Sequence, residues 1–310
     1  RRKENWIMII DAHGHLGDIL YPNGGRLIYQ RGVVMEKLWD PQGTNEAQLN
    51  RSFGMGKLIY EITNYWATKG QRARNFTATL ENYQRSLDEN GIDYAVCLPI
   101  APYVTFDDLA EAKKQEPRIL PFTSVDFTSD HDVAAKLAQD VEGGALGLKL
   151  HPIIQNVSLL DPRTSQSLQA FEKLHKPVLI HTGPSGYYLG KEKSKNTPAF
   201  GKVEYAEEVV RNFPGINFII GHSGLFWVNE VCRRMAKLPN VWMETSFQSP
   251  EMVQKLISIF GAEKVIYASD WPFGSRAPHI KIIKIACRGN QELEDQIFYK
   301  NAQELLGIQQ

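Results

Sequence analysis

The chain has 310 residues, of which 43% are hydrophobic and 23% charged, the composition of an ordinary globular protein rather than a disordered, collagenous or coiled-coil one. Lys and Arg (35) balance Asp and Glu (35), so no global field favours nucleic acid or an anionic membrane. Cys97, Cys232 and Cys287 lie far apart in no zinc or redox spacing, which excludes a disulfide scaffold and reads as three reduced, buried thiols.

No apolar run approaches the roughly 18 residues of a membrane span. The N-terminus is basic at Arg1, Arg2 and Lys3, but Glu4 and Asn5 follow, and the apolar stretch after them soon meets Asp11. That is not a signal peptide, and the expected location is the cytoplasm.

Taken in order, the chain alternates short apolar runs with helical patterns. Ile7–Asp11 reads as the first strand. Segment 19–71 then interrupts the rhythm; it is rich in Gly, Asn, Tyr and Trp, with weak periodicity. A structureless loop that long is rare in a compact domain, so it is expected to carry short helices and to cap one end of the fold. Phe76–Asn90 reads as a helix, with Leu80, Tyr83 and Leu87 on one face and Gly91 as its stop.

Tyr94–Pro99 and Ile119–Asp126 are the second and third runs. Asp130–Glu142 is a helix with Asp130 as its expected N-cap. The remaining runs are Ala145–Leu150, Pro177–His181, Ile216–Gly221, Val241–Thr245 and Val265–Asp270. Helical patterns Arg163–His175, Val203–Phe213, Trp227–Leu238 and Pro250–Phe260 separate them, and Gln291–Leu306 closes the chain. Pro250 suits a first helical turn.

Eight near-continuous apolar runs alternating with helices fit parallel strands buried on both faces, as in a single-domain (β/α)8 TIM barrel. The rival, a doubly wound open sheet, usually carries a Gly-rich turn after its first strand. Here that strand runs into Asp11-Ala12-His13-Gly14-His15. Segment 19–71 and a second insertion, 183–201, both follow strand C-termini, where barrel active sites form.

Polar residues sit where the apolar runs stop. The first run leads to His13 and His15, the fourth to Lys149 and His151, the fifth to His181, the sixth to His222 and the eighth to Asp270. On a parallel barrel these ends share one rim. Imidazole and carboxylate are metal ligands, suited to Zn and related divalent ions. The two-residue spacing of His13 and His15 puts both on one face of an extended strand. His181 can add a third nitrogen, and Asp270 a carboxylate that also accepts a proton.

Simpler readings stand beside these. A lone strand-end histidine is more often structural than a ligand, and His151 is the least secure because Pro152 turns the chain away. His131, His175 and His279 read as structural or solvated. Lys149, in an apolar strand, needs a modification or a paired acid such as Asp126 or Glu244.

Six motifs resemble the amidohydrolase superfamily, in its amidohydrolase-related branch of metal-dependent hydrolases and decarboxylases. They are Ile9-Ile10-Asp11-Ala12-His13-Gly14-His15, Gly147-Leu148-Lys149-Leu150-His151-Pro152, Ile180-His181-Thr182-Gly183, Gly221-His222-Ser223-Gly224, Ser269-Asp270-Trp271-Pro272 and Asn301-Ala302-Gln303-Glu304-Leu305-Leu306. They occur in the family's order, from residue 9 to residue 306; segment 19–71 matches no part of it.

The resemblance implies that His13, His15, His181 and Asp270 hold one divalent ion, most simply Zn. It implies that His222 either binds a second ion or polarises the substrate. Lys149 stands where two-ion members carry a carboxylated lysine, so one or two ions are expected. The implied reaction is attack of a metal-activated water on an ester, lactone or amide carbonyl of a small molecule, with Asp270 moving the proton. The alternatives are non-oxidative decarboxylation of an aromatic or unsaturated acid, which lacks the lysine, and a binding module without turnover.

Substrate identity is expected in the loops. Tyr65, Trp66, Tyr187, Tyr188, Trp271 and Phe273 can line a pocket, although ordinary packing is as good a reading. Arg26, Arg31 or Arg276 can pair with a carboxylate, a solvated surface role being the simpler reading. Trp271, Arg276 and Tyr187 are the substrate-binding candidates. The expected partner is a small molecule, not nucleic acid or membrane, and a homo-oligomer is compatible with the chain.

Overall fold

The computed structural model describes residues 8–21, 23–47 and 53–308. The basic N-terminal residues and Ile7 lie outside these. The strands are β1 (Ile10–Gly14), β2 (Tyr94–Cys97), β3 (Ile119–Pro121), β4 (Thr123–Ser124), β5 (Leu148–Leu150), β6 (Val178–His181), β7 (Phe218–Gly221), β8 (Val241–Glu244) and β9 (Val265–Ile266). All pair in parallel, in sequence order, as two arcs, β1 to β3 and β4 to β9.

Hydrogen bonds cross both gaps between the arcs. At the first, Phe122 N donates to Cys97 O at 3.0 Å, Leu146 N to Pro121 O at 2.9 Å and Thr123 N to Gly147 O at 2.8 Å, so β3 and β4 are halves of one barrel strand. At the second, Ala12 N donates to Tyr267 O at 3.0 Å, Asp270 N to His13 O at 2.8 Å and His15 N to Trp271 O at 2.7 Å. The ring is closed, and the fold is the expected (β/α)8 barrel.

Side-chain parity sets what the barrel holds. Ile10, Ala12, Val96, Leu98, Leu120, Phe122, Leu179, Ile219, Trp242, Ile266 and Ala268 form one buried cluster inside the ring, joined by Ala302 and Leu306 of the closing helix. Their neighbours, including Ala95, Cys97, Leu148, Leu150, Val178 and Ile180, join the larger cluster under the outer helices. Alternation along a strand then points Lys149, His151, His181, Glu244 and Asp270 to the inner side. A register shift between Asp11 and Gly14 breaks the alternation in β1. Such bulges re-aim side chains. Here it turns His13 and His15 to the centre and leaves Asp11 on the outer parity.

The helices are α1 (Pro41–Ala47), α2 (Phe53–Asn75), α3 (Leu80–Asn90), α4 (Phe106–Gln115), α5 (Val133–Glu142), α6 (Pro162–Glu172), α7 (Val203–Asn212), α8 (Val228–Met235), α9 (Pro250–Phe260), α10 (Arg276–Cys287), α11 (Gln291–Asp295) and α12 (Asn301–Leu306). Several differ from the sequence reading. The helix expected from Phe76 starts at Leu80, because Thr79 caps it by accepting from Asn82 N. The N-cap of α5 is Asp132, which accepts from Ala135 N, and not Asp130. Pro250 does open α9, with Ser249 as cap. α4 and α10 were not expected at all.

Segment 19–71 carries a short 3-10 turn and α1, but its main element is the 23-residue α2, which runs on past Gln71. The inner face of α2 is tied to loops that follow β6 and β9. Thr68 Oγ1 donates to Gly186 O at 3.3 Å, and Arg72 Nη1 to Tyr187 O at 3.2 Å. Arg74 donates to Phe273 O at 2.8 Å and pairs with Asp40 and Glu46. The three cysteines are free and buried, and burial pushes their thiols up. Among the described residues no helix is long and apolar enough to cross a membrane.

Candidate metal centre

His13, His15, Lys149, His151, His181, His222, Glu244 and Asp270 are all buried at the C-terminal ends of the strands. Their hydrogen bonds fix which ring nitrogens carry protons. A neutral imidazole has one N–H and one lone pair. His15 Nδ1 lies 2.8 Å from the carbonyl oxygen of Leu98, which only accepts, so Nδ1 carries the hydrogen. His13 Nδ1 likewise donates to Glu244 Oε1 at 2.9 Å. Both Nε2 lone pairs therefore face inward. They are 3.3 Å apart, and each is 3.2 Å from Asp270 Oδ1.

With the Asp270 carboxyl ionised, three acceptors face one another and repel. Asp270 Oδ1 is buried and accepts no hydrogen bond. Donors sharing one ion at about 2.1 Å, with tetrahedral angles, stand about 3.4 Å apart. The donor set fits a divalent cation, which His13, His15 and Asp270 are placed to hold.

A second set lies beside the first. His222 Nδ1 donates to Ser246 Oγ at 2.7 Å, because that hydroxyl is itself donated to Glu244 Oε1 at 3.0 Å. This leaves a lone pair on His222 Nε2, which faces His181 Nδ1 at 3.0 Å. Ser185 Oγ is 3.2 Å from His181 Nε2, and a hydroxyl serves either His181 tautomer. Lys149 Nζ lies in the same cluster, 3.1 Å from His13 Nε2. Asp126, one expected partner of Lys149, instead accepts from Thr128.

Glu244 organises both sets and was missed as a site residue. Its carboxylate accepts from His13 Nδ1, His222 N, Ser246 N and Ser246 Oγ. The atoms of His13, His222 and Glu244 lie close enough to hold an ion. By the N–H assignments above, His13 Nδ1 and the Ser246 hydroxyl that meets His222 Nδ1 both donate to Glu244, a placement suited to orienting the two rings.

The local backbone follows from these demands. A Cβ on Gly221 would stand 2.7 Å from Ile180 O, so only glycine lets β7 deliver His222 there. His222, Ser223 and Leu225 are left-handed (φ 55°, 45° and 52°), as is Asp270 (φ 60°). Non-glycine residues hold that conformation when their surroundings over-determine it, commonly at functional sites. Ser223 Oγ donates to Glu244 O at 2.7 Å and Gln248 Nε2 to His222 O at 2.7 Å.

The other sequence candidates distribute as follows. His151 stacks on His181, with ring centroids 4.0 Å apart, and meets the Tyr187 hydroxyl at 3.1 Å. Phe273 sets its edge toward His15 at 5.8 Å, and Phe247, not singled out by sequence, lies 5.4 Å from His222. Tyr188 stacks on Tyr21. Trp271 packs against Tyr83. Arg276, read most simply as solvated, is fully buried on Asp11. Arg26 and Arg31 are exposed. Tyr65 and Trp66 are exposed on the outer side of α2. His131 and His175 are exposed, and His279 is a structural link between Ser275 O and Phe247 N.

Burial dominates the electrostatics in the absence of cations. It pushes the Asp270 and Glu244 carboxyls up to about 8 and Lys149 down to about 8. It holds His15 down to about 3, and the other clustered histidines well below their usual range. The folded chain keeps two carboxyl protons that the unfolded chain releases near pH 4, whereas histidines charge in the unfolded chain below about pH 6.5. Between about pH 7 and 8 the unfolded histidines are largely neutral and the carboxyl effect dominates, partly offset by the Lys149 amine that burial holds down to about 8, so stability falls as pH rises. Chelator-treated protein is expected to melt at progressively lower temperature across that window. Added divalent ions are expected to raise the melting temperature and flatten the slope, since a cation stabilises both carboxylates. Thermal melts in matched buffers check this.

An amidohydrolase family model matches residues 10–308. No curated protein matches the chain. Among solved structures, a probable 2-pyrone-4,6-dicarboxylic acid hydrolase from Acinetobacter baumannii, with citric acid bound, is 16% identical with a TM-score of 0.60, covering 97% of this chain and 99% of its own. A 5-carboxyvanillate decarboxylase from Novosphingobium aromaticivorans, complexed with manganese, is 15% identical with a TM-score of 0.66, covering 97% and 96%. A 2,6-dihydroxybenzoate decarboxylase from Rhizobium is 16% identical with a TM-score of 0.65, covering 98% and 99%. At these identities the likenesses establish the fold.

Proposed function

The chain belongs to the amidohydrolase family, a family of enzymes, and from that premise we propose that it is a hydrolase that cleaves an ester, lactone or amide of a small molecule with two divalent ions. One observation carries this reading. Two separate donor sets, His13–His15–Asp270 and His181–His222, occur in the cluster that contains the buried amine of Lys149. A carboxylated Lys149 would serve both sets. Its neutral amine adds to the carbon of CO2 and loses a proton, giving a carbamate anion. Burial favours that neutral amine.

His13 Nε2, His15 Nε2 and Asp270 Oδ1 would hold one ion, and His181 Nδ1 and His222 Nε2 the other. Divalent cations there supply acidity to a water molecule and polarise a carbonyl oxygen. Zinc suits the donors, and manganese, bound in the carboxyvanillate decarboxylase, suits them too. Asp270 takes the proton that the attacking water loses and returns it to the leaving alcohol or amine. Glu244 keeps His13, and through Ser246 also His222, in the tautomer that exposes Nε2. Phe273, Phe247 and Tyr187 border the histidines and would receive an apolar or aromatic substrate body. In this reading the chain is one domain, and segment 19–71 caps the rim through the Thr68, Arg72 and Arg74 contacts.

A second reading is decarboxylation of an aromatic acid. The likeness to two decarboxylases supports it, and so does the completeness of the His13–His15–Asp270 set without Lys149. Elemental analysis of protein purified without chelator separates the two. The hydrolase is expected to hold about two equivalents and to cleave members of an ester and lactone panel. Lys149→Ala is expected to hold about one and to lose cleavage. About one equivalent in the unaltered protein, with CO2 released from aromatic acids, would replace the first reading with the second.

A further inference from the structure

The outer face of α2 carries side chains that the barrel does not use. Leu58, Ile62, Tyr65 and Trp66 are 61%, 76%, 52% and 41% exposed, and Trp39, 53% exposed, stands with its ring 6.1 Å from that of Trp66. Helical spacing aligns positions 58, 62, 65 and 69. Lys69 Nζ lies over the Tyr65 and Trp66 rings at 5.3 and 5.5 Å. These five apolar side chains expose on the order of 500 Å². That is near the upper limit for the largest patch on a monomer, and more than half of the ~800 Å² that each partner buries in a stable interface.

We propose that this face docks on the same face of a second copy of the chain, the two α2 helices crossing antiparallel about a two-fold axis at Tyr65. In such an interface a residue k positions before the axis meets the one k positions after it on the partner. Glu61 and Lys69, both exposed, lie four before and four after Tyr65. Each copy's Glu61 then stands level with the other's Lys69, which brings opposite charges together on both sides of the axis. A helix built for a membrane surface carries rows of Lys and Arg instead. The inner face of α2 already holds the loop after β6, so a dimer would press this cap onto the rim from outside. The proposal does not depend on which reaction the site performs.

Sedimentation velocity across micromolar concentrations tests it. The unaltered protein is expected to be a dimer. Ile62→Asp is expected to be a monomer with an unchanged melting profile, because the side chain is exposed. Glu61→Lys and Lys69→Glu are each expected to weaken self-association on the order of tenfold. An equimolar mixture of these two variants is expected to recover it, since each then presents the opposite charge to the other. A monomeric unaltered protein overturns the proposal, as does a dimer that none of these variants weakens or a mixture that does not recover. A monomer that sediments with anionic phospholipid vesicles assigns the face to a membrane surface and overturns it equally.

Discussion

Asp270→Asn is expected to lower kcat by about 10²–10⁴-fold while much of the bound metal stays in place. The exchange conserves shape. An amide oxygen can take the place of Oδ1, which stands 3.2 Å from both His13 Nε2 and His15 Nε2. The backbone that presents it is held independently, by Asp270 N donating to His13 O at 2.8 Å. What the amide cannot do is accept and return a proton at neutral pH. The loss should therefore appear in kcat, not as a collapse of metal content or melting temperature. Elemental analysis and turnover on one preparation check it. Turnover near that of the unaltered protein would remove Asp270 as the proton carrier. Loss of all metal would make it a ligand first.

The strand ends were legible in the chain because two periodicities meet there. A run such as Val178-Leu179-Ile180 is apolar on both faces, so the polar His181 that stops it stands out. Glu244 ends Val241-Trp242-Met243 in the same way. It was weighed only as a partner for Lys149, because its own partner, His13, is 231 positions away and only closure of the ring joins them. The inward turn of His13 depends on a register shift that no local pattern announces. α4 was missed because only Phe106, Leu109 and Ala112 of its ten residues are buried, although the capping box of Thr105 and Asp108 was there to be read. The burial of Arg276 was illegible for the same reason as the role of Glu244: its counter-charge sits in β1.

That counter-charge leads to the second large effect. Arg276→Met is expected to destabilise the fold by about 3–5 kcal/mol, measured by urea unfolding, because it strands the buried Asp11 carboxylate. Arg276 Nε donates to Asp11 Oδ2 at 2.9 Å, and neither side chain is exposed. The guanidinium lies over Tyr83 and Trp271, at 4.7 and 5.2 Å from their centroids. Asp11 also accepts from Ser269 N at 2.9 Å and Ser269 Oγ at 2.6 Å. One carboxylate thus joins β1, two residues before His13, to the residue just before Asp270. It spans the seam where the barrel closes and where all three first-set ligands, His13, His15 and Asp270, arise. Adding Asp11→Asn to Arg276→Met removes the stranded charge, so the double variant should be less destabilised than the sum of its single changes. Activity should not recover in parallel. The neutral pair no longer fixes the seam, and a ligand displaced by about 1 Å costs on the order of 100-fold in rate. A double variant that regains stability but stays slow would show that the ion pair aligns His13 and Asp270 as well as holding the fold. Single changes that cost less than about 1 kcal/mol would mean that water reaches Asp11 and the seam is held by the strand hydrogen bonds alone.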